Sequence, residues 1–134
     1  MSKDNTIKCN TLMVGDWISV AGGFPMQVTT VGDDWCYADF DGNEGDLWEF
    51  NDDNECPHGI ALTESILEYN GFHLRQTCAK HAYGKWQLEN SAFSLDVKRN
   101  GLVCGCAPIN SVHELQQALR LYGYKDIANN LKTK

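Results

Sequence analysis

The chain has 134 residues, 43% of them hydrophobic and 22% charged, with a formal charge of −7. Those values fit a globular chain of one domain or two small units, and no run nears the ~18 apolar residues that span a bilayer. A chain this acidic is a poor match for phosphate backbones, which call for clustered Lys and Arg, so direct nucleic-acid binding is not expected.

The charge is unevenly spread. Residues 1–60 hold twelve acids and two lysines, a net of −10; residues 61–134 hold six acids and nine bases, a net of +3; the two sum to −7. The acids form a solubilising face or, in the sharper reading, a surface that meets a basic partner. The opening "MSKDNTIKCN" has no apolar signal core, which points to the cytoplasm. In that compartment the six cysteines, Cys9, Cys36, Cys56, Cys78, Cys104 and Cys106, are expected as reduced thiols rather than disulfides.

The first part of the chain reads as short strands: Trp17–Val20, Met26–Val31, Trp35–Phe40 and Asp46–Phe50. Each carries β-branched or aromatic residues, and the turn formers Gly22-Gly23, Gly32-Asp33 and Asp41-Gly42 separate them. Strands this short and close suggest a small SH3-like barrel or a strongly bent sheet. After the loop "NDDNECPHG" the pattern turns helical. In "ALTESILEYNGF", Thr63 fits the N-cap, Leu62 can staple to Leu67, Gly71 fits the left-handed C′ position, and Ile66 and Leu67 face inward. Three more strands follow, at Gly84–Glu89, Phe93–Lys98 and Leu102–Cys106. In the middle one Phe93, Leu95 and Val97 alternate with Ser94 and Asp96. "RNG" at 99–101 turns into the third strand, where Cys104 and Cys106 share a face as small core residues. A last helix runs from Val112 to Tyr122, stopped by Gly123, with a short helical tail "KDIANNL" after it.

"SVHELQQ" at 111–117 begins like the zinc motif H-E-x-x-H, but the second histidine's place is held by Gln117. The motif fails at its defining ligand. The residues spell a capping box instead: Ser111 and Glu114 satisfy each other's backbone N–H groups. Val112, Leu115, Leu119 and Tyr122 then make one apolar stripe, with His113 exposed or at the core's edge. "CPH" at 56–58, Cys78 with His81, and Cys104 with Cys106 lack the usual zinc spacings, Cys78-x-x-His81 coming nearest. "DFDGNEGDLWEF" begins like a calcium loop with Asp39, Asp41 and Asn43, but Glu44 replaces the glycine and Phe50 the closing glutamate. No G-x-S-x-G, P-loop or G-x-G-x-x-G occurs, and "GCAPINS" is no phosphate cradle. No catalytic, cofactor or metal residue is assigned.

Trp17, Trp35, Tyr37, Phe40, Trp48 and Phe50 crowd the first unit. Small barrels need bulky residues inside, but six exceed what one tiny core holds, so one or two are expected at a contact surface. The expected surface comprises Trp35, Trp48, Phe50, Asp52 and Asp53.

"TLMVGDWISVAGGFPMQVTTV", "GIALTESILEYNGF" and "NSVHELQQALRLYG", in that order, resemble a family of short uncharacterised proteins of gut bacteria, often encoded in prophages and other mobile elements. This chain carries Ala61 where proline is usual. The resemblance implies no activity, and its motifs read as fold-specifying positions.

The expectation is therefore an α+β protein. An SH3-like small β-barrel at residues 1–57 packs on an α-β-β-β-α unit at 58–134, and the charge split favours their contact. The expected function is non-enzymatic: a cytoplasmic binding or accessory protein, of mobile-element origin, using protein contacts without cofactor or membrane. The alternatives are an acidic nucleic-acid mimic that occupies a basic site on a host enzyme, and an unrecognised hydrolase.

Overall fold

The computed structural model describes residues 6–20, 23–39, 47–75, 84–99, 101–105 and 107–133. The chain is mixed α and β and divides into two compact units, Met1–Ile60 and Ala61–Lys134, each built on an antiparallel sheet. The division falls after Ile60 rather than after residue 57, because His58 and Gly59 pair with the first sheet.

In the first unit a 3-10 turn at Cys9–Thr11 leads into strands β1 (Trp17–Ser19), β2 (Pro25–Val31), β3 (Trp35–Asp39), β4 (Trp48–Asn51) and β5 (His58–Gly59). Their order is β4-β3-β2-β1-β5, every neighbouring pair antiparallel. The sheet is open, with β4 and β5 as its edges, and no pairing among the described residues closes it into the expected barrel. A bulge between Val28 and Thr30 breaks the β2–β3 register, which bends the strand and adds local twist. Ile18, Met26, Val28, Cys36, Ala38 and Phe50 fill the core, joined by Cys9 and Leu12 from the N-terminal segment. Phe40 and the Asp41-Gly42 hairpin lie outside the described residues, as do Asn43, Glu44 and Asp46, so the calcium-loop pattern is not displayed.

The second unit runs α1 (Glu64–Tyr69), β6 (Phe72–Arg75), β7 (Lys85–Leu88), β8 (Ser94–Lys98), β9 (Gly101–Cys104), β10 (Ala107–Ile109), α2 (Val112–Leu121) and α3 (Lys125–Asn129). Its sheet order is β10-β9-β8-β7-β6. Five strands stand where the sequence reading had three. Phe72–Arg75 follows the α1 terminator directly and has little length of its own to signal a strand, yet it pairs with β7. Ala107–Ile109 pairs back on β9 despite Pro108, which an edge strand tolerates. Because Gly105 turns the chain with a positive φ of 64°, β9 ends at Cys104; Cys106 lies outside the described residues.

The helix ends follow local chemistry. Thr63 Oγ1 accepts the Ile66 N–H at 3.2 Å, and Gly71 ends α1 at φ 89°. At α2 the Ser111–Glu114 capping box is formed, and Glu114 Oε1 accepts from the backbone N–H groups of Ser111 at 3.1 Å and Asn110 at 2.7 Å. Gly123, at φ 93°, closes α2 as a Schellman motif: Tyr124 N–H donates to Leu119 C=O and Gly123 N–H to Arg120 C=O. The buried stripe is Val112, Leu115, Gln116 and Leu119. Tyr122 leaves it for the helix end, where its ring meets Phe93 edge-on at 5.8 Å. Gln116 takes the inward place by donating Nε2–H to Ala128 C=O at 2.9 Å, which ties α2 to α3. Ser111→Ala should lower the unfolding free energy by about 1 kcal/mol. Urea denaturation of the variant checks it; an unchanged midpoint would remove the cap from the account of α2.

Candidate binding surface

Alternation along β3 sets the geometry of the first unit's surface. Cys36 and Ala38 point into the core, so Trp35 and Tyr37 point to the opposite, outer face of the sheet. Their ring centroids lie 5.3 Å apart at 54°. Both residues are of intermediate burial. Cross-strand register puts Glu49 beside Tyr37 and Asn51 beside Trp35, while Trp17 stands opposite Gln27, which in turn stands opposite Asp39. Among the described residues, the outer face therefore carries three aromatics and two carboxylates. Gly32 is required here: a Cβ at that position would lie 2.1 Å from the Trp35 indole. The Gly32 N–H also donates to Trp35 C=O at 2.8 Å, closing the β2–β3 turn under the ring.

The five residues expected at a contact surface do not form one. Phe50 is fully buried, opposite Cys36, and belongs to the core. Trp48 stands opposite Ala38, on the core side of the sheet at its margin, with 39% of its surface exposed and its ring 6.5 Å from Phe50. Trp35 is on the other face. Asp52 is half-buried and structural: Oδ1 accepts the Cys9 backbone N–H at 3.0 Å, Asp52 N–H donates to Asp34 C=O, and its own C=O accepts from Cys56 Sγ. Only Asp53 is a plainly exposed acid, its backbone N–H held by Asn51 Oδ1. Tyr37 and Glu49, neighbours of Trp35, were missing from the expected set. Their signal was the strand "WCYAD", in which two small residues alternate with two aromatics.

The described acids form groups. The Asp34–Asp52 backbone bond brings the Asp33-Asp34 and Asp52-Asp53 turns together at one end of the sheet. Asp39 sits at the other end of β3.

Cys9, Cys36, Cys56 and Cys104 carry free thiols. Burial pushes the Cys9 thiol far above its usual range, and the adjacent Cys36 and Asp52 push the same way. Burial raises Cys36 and Cys104 as well. Burial of this kind disfavours the thiolate, the form that acts as a nucleophile. No group of three or more His, Cys, Asp or Glu side chains among the described residues could hold a metal ion. Cys78, His81 and Cys106 lie outside those residues. His113 is half-buried and its Nδ1 pairs with Ser111 Oγ at 2.9 Å, so it belongs to the cap of α2.

No family model, curated protein or solved structure matches the chain. Among the described residues, no helix is long and apolar enough to cross a membrane.

Proposed function

We propose that the chain is a non-enzymatic binding or accessory protein of the cytoplasm, belonging with the short mobile-element proteins that its motifs resemble. Its first unit is an acidic, SH3-like module that holds a basic protein partner. The Trp35–Tyr37 pair on the outer face, flanked by Glu49 and Asp39, carries this reading. Accessible aromatic rings attract Arg and Lys side chains by cation–π contact, and neighbouring carboxylates add charge complementarity. Four short strands in a meander, with a fifth returning beside the first, support the SH3-like description.

Affinity capture from the source cell, with wild-type and variant chains compared side by side, tests the reading. A double change, Trp35→Ala with Tyr37→Ala, should abolish capture of the basic partner while far-UV circular dichroism is retained. The charge-reversal arm uses Asp53→Lys with Glu49→Lys, because Asp52 holds Cys9 and its replacement would disturb the fold. Should capture ignore the aromatic change and collapse with the charge reversal, the nucleic-acid-mimic reading takes over.

A further inference from the structure

β6 is the outermost strand of the second sheet. Among the described residues, no strand pairs with its far side. The Glu89 N–H donates to Gly71 C=O at 2.9 Å, which makes Gly71–Glu89 a hydrogen-bonded pair of the antiparallel ladder. Pairs alternate along such a ladder, so His73 and Arg75 bond inward to β7, while Phe72 and Leu74 aim their N–H and C=O groups outward. Proteins usually blunt such an edge with proline, a bulge or a cover. The opposite edge, β10, carries Pro108. β6 carries no proline, and its register with β7 is unbroken.

A cavity lies on each face beside this strand. Cross-strand partners share a face, so Leu74 and Trp86 lie on one side and His73 and Gln87 on the other. On the first side Leu62, Leu67, Leu74, Trp86, Val97 and Leu102, joined by Thr63 and Glu64, line a mainly apolar groove of about 290 Å³ that reaches the half-exposed Leu74. On the second side His73, Arg75, Gln87 and Glu89 border a polar hollow of about 540 Å³, with the His73–Glu89 pair at 2.9 Å. Arg75 stands directly opposite Lys85. Lys85 has Asp96 opposite it on β8, so Arg75, exposed on the edge strand, is the charge that an added carboxylate would meet.

We propose that the β6 edge is a strand-addition site for an extended peptide segment that alternates apolar and acidic residues. Backbone bonds to Phe72 and Leu74 hold the segment. Its apolar side chains enter the Leu74 groove, and its carboxylates meet Arg75 on the other face. A second copy of this chain is a poor occupant, because pairing two β6 edges sets His73 and Arg75 of both copies on one face. This site is independent of the aromatic face of the first unit.

The probe is a fluorescein-labelled octapeptide of alternating Val and Glu, followed by fluorescence anisotropy and by amide chemical shifts of the full chain. The comparison peptides are a block octapeptide of the same composition and an alternating Val-Lys octapeptide. The alternating Val-Glu peptide should bind at least tenfold tighter than either, with the largest amide shifts at Phe72 and Leu74. Leu74→Pro removes an outward N–H and leaves the ladder to β7 intact, so binding should be lost with circular dichroism unchanged. Arg75→Glu should reverse the preference toward the Val-Lys peptide, and this variant decides the matter if Leu74→Pro does not fold. Equal binding of the alternating and block peptides, no measurable binding, or a preference unmoved by Arg75→Glu overturns the proposal.

Discussion

Replacing Phe50 by alanine should destabilise the first unit by about 3–5 kcal/mol, whereas Trp48→Ala should cost about 2 kcal/mol. The two residues sit two positions apart on β4 and on the same side of the sheet, yet their surroundings differ. Phe50 is fully buried opposite Cys36, inside a cluster with Ile18, Met26 and Val28. Its removal forfeits the transfer free energy of a whole aromatic ring and leaves a cavity that the short strands can only partly close. Trp48 keeps 39% of its surface in solvent at the margin of that core. Urea denaturation of both variants, followed by tryptophan fluorescence and circular dichroism, measures the difference. A cost below about 1 kcal/mol for Phe50→Ala would overturn the facing of β3 and β4, and with it the placement of Trp35 and Tyr37 on the outer face.

Stability of the first unit should also fall on the alkaline side, beginning near pH 8.5. Cys9 and Cys36 are fully buried thiols whose pKa values are raised, first by burial. The unfolded chain releases these protons at its ordinary thiol pKa, about 8.5, and the folded chain keeps them to higher pH. The native state thus holds more protons across that window. The stability contributed is complete below about pH 8.5 and is lost as pH rises, by up to about 1.4 kcal/mol per pH unit for each thiol. Denaturation midpoints measured from pH 7 to 10 should show the decline in the wild-type chain. The double change Cys9→Ala with Cys36→Ala should flatten it. A decline of the same slope in the double variant would assign the alkaline loss to other groups.

The sequence by itself determined the parts whose causes lie within a few residues. Thr63 with Ile66, Ser111 with Glu114, and the left-handed glycines Gly71 and Gly123 are local bonds and local dihedrals, and the structure forms each of them. The alternation of β8 is equally local, and the burial of Phe93 and Leu95 follows it. The absence of the second zincin histidine was legible for the same reason, since that motif is a spacing along one helix.

Only the tertiary structure decided which way β3 faces. Bulky residues were expected inside, but Ile18, Met26, Val28 and Phe50 from three other strands fill the core. That leaves room beneath β3 only for Cys36 and Ala38, and the aromatics turn outward. Distance along the chain hid other features too. Asp52 looked like a surface acid until Cys9, 43 residues away, supplied its N–H. Asn70 looked like a simple helix end, yet its amide exchanges two hydrogen bonds with the backbone of Lys132, 62 residues on, and so anchors the C-terminal segment. β6 and β10 are strands because partners complete their ladders. Four and three residues carry too little propensity of their own to hold an extended form, and cross-strand pairing supplies the rest.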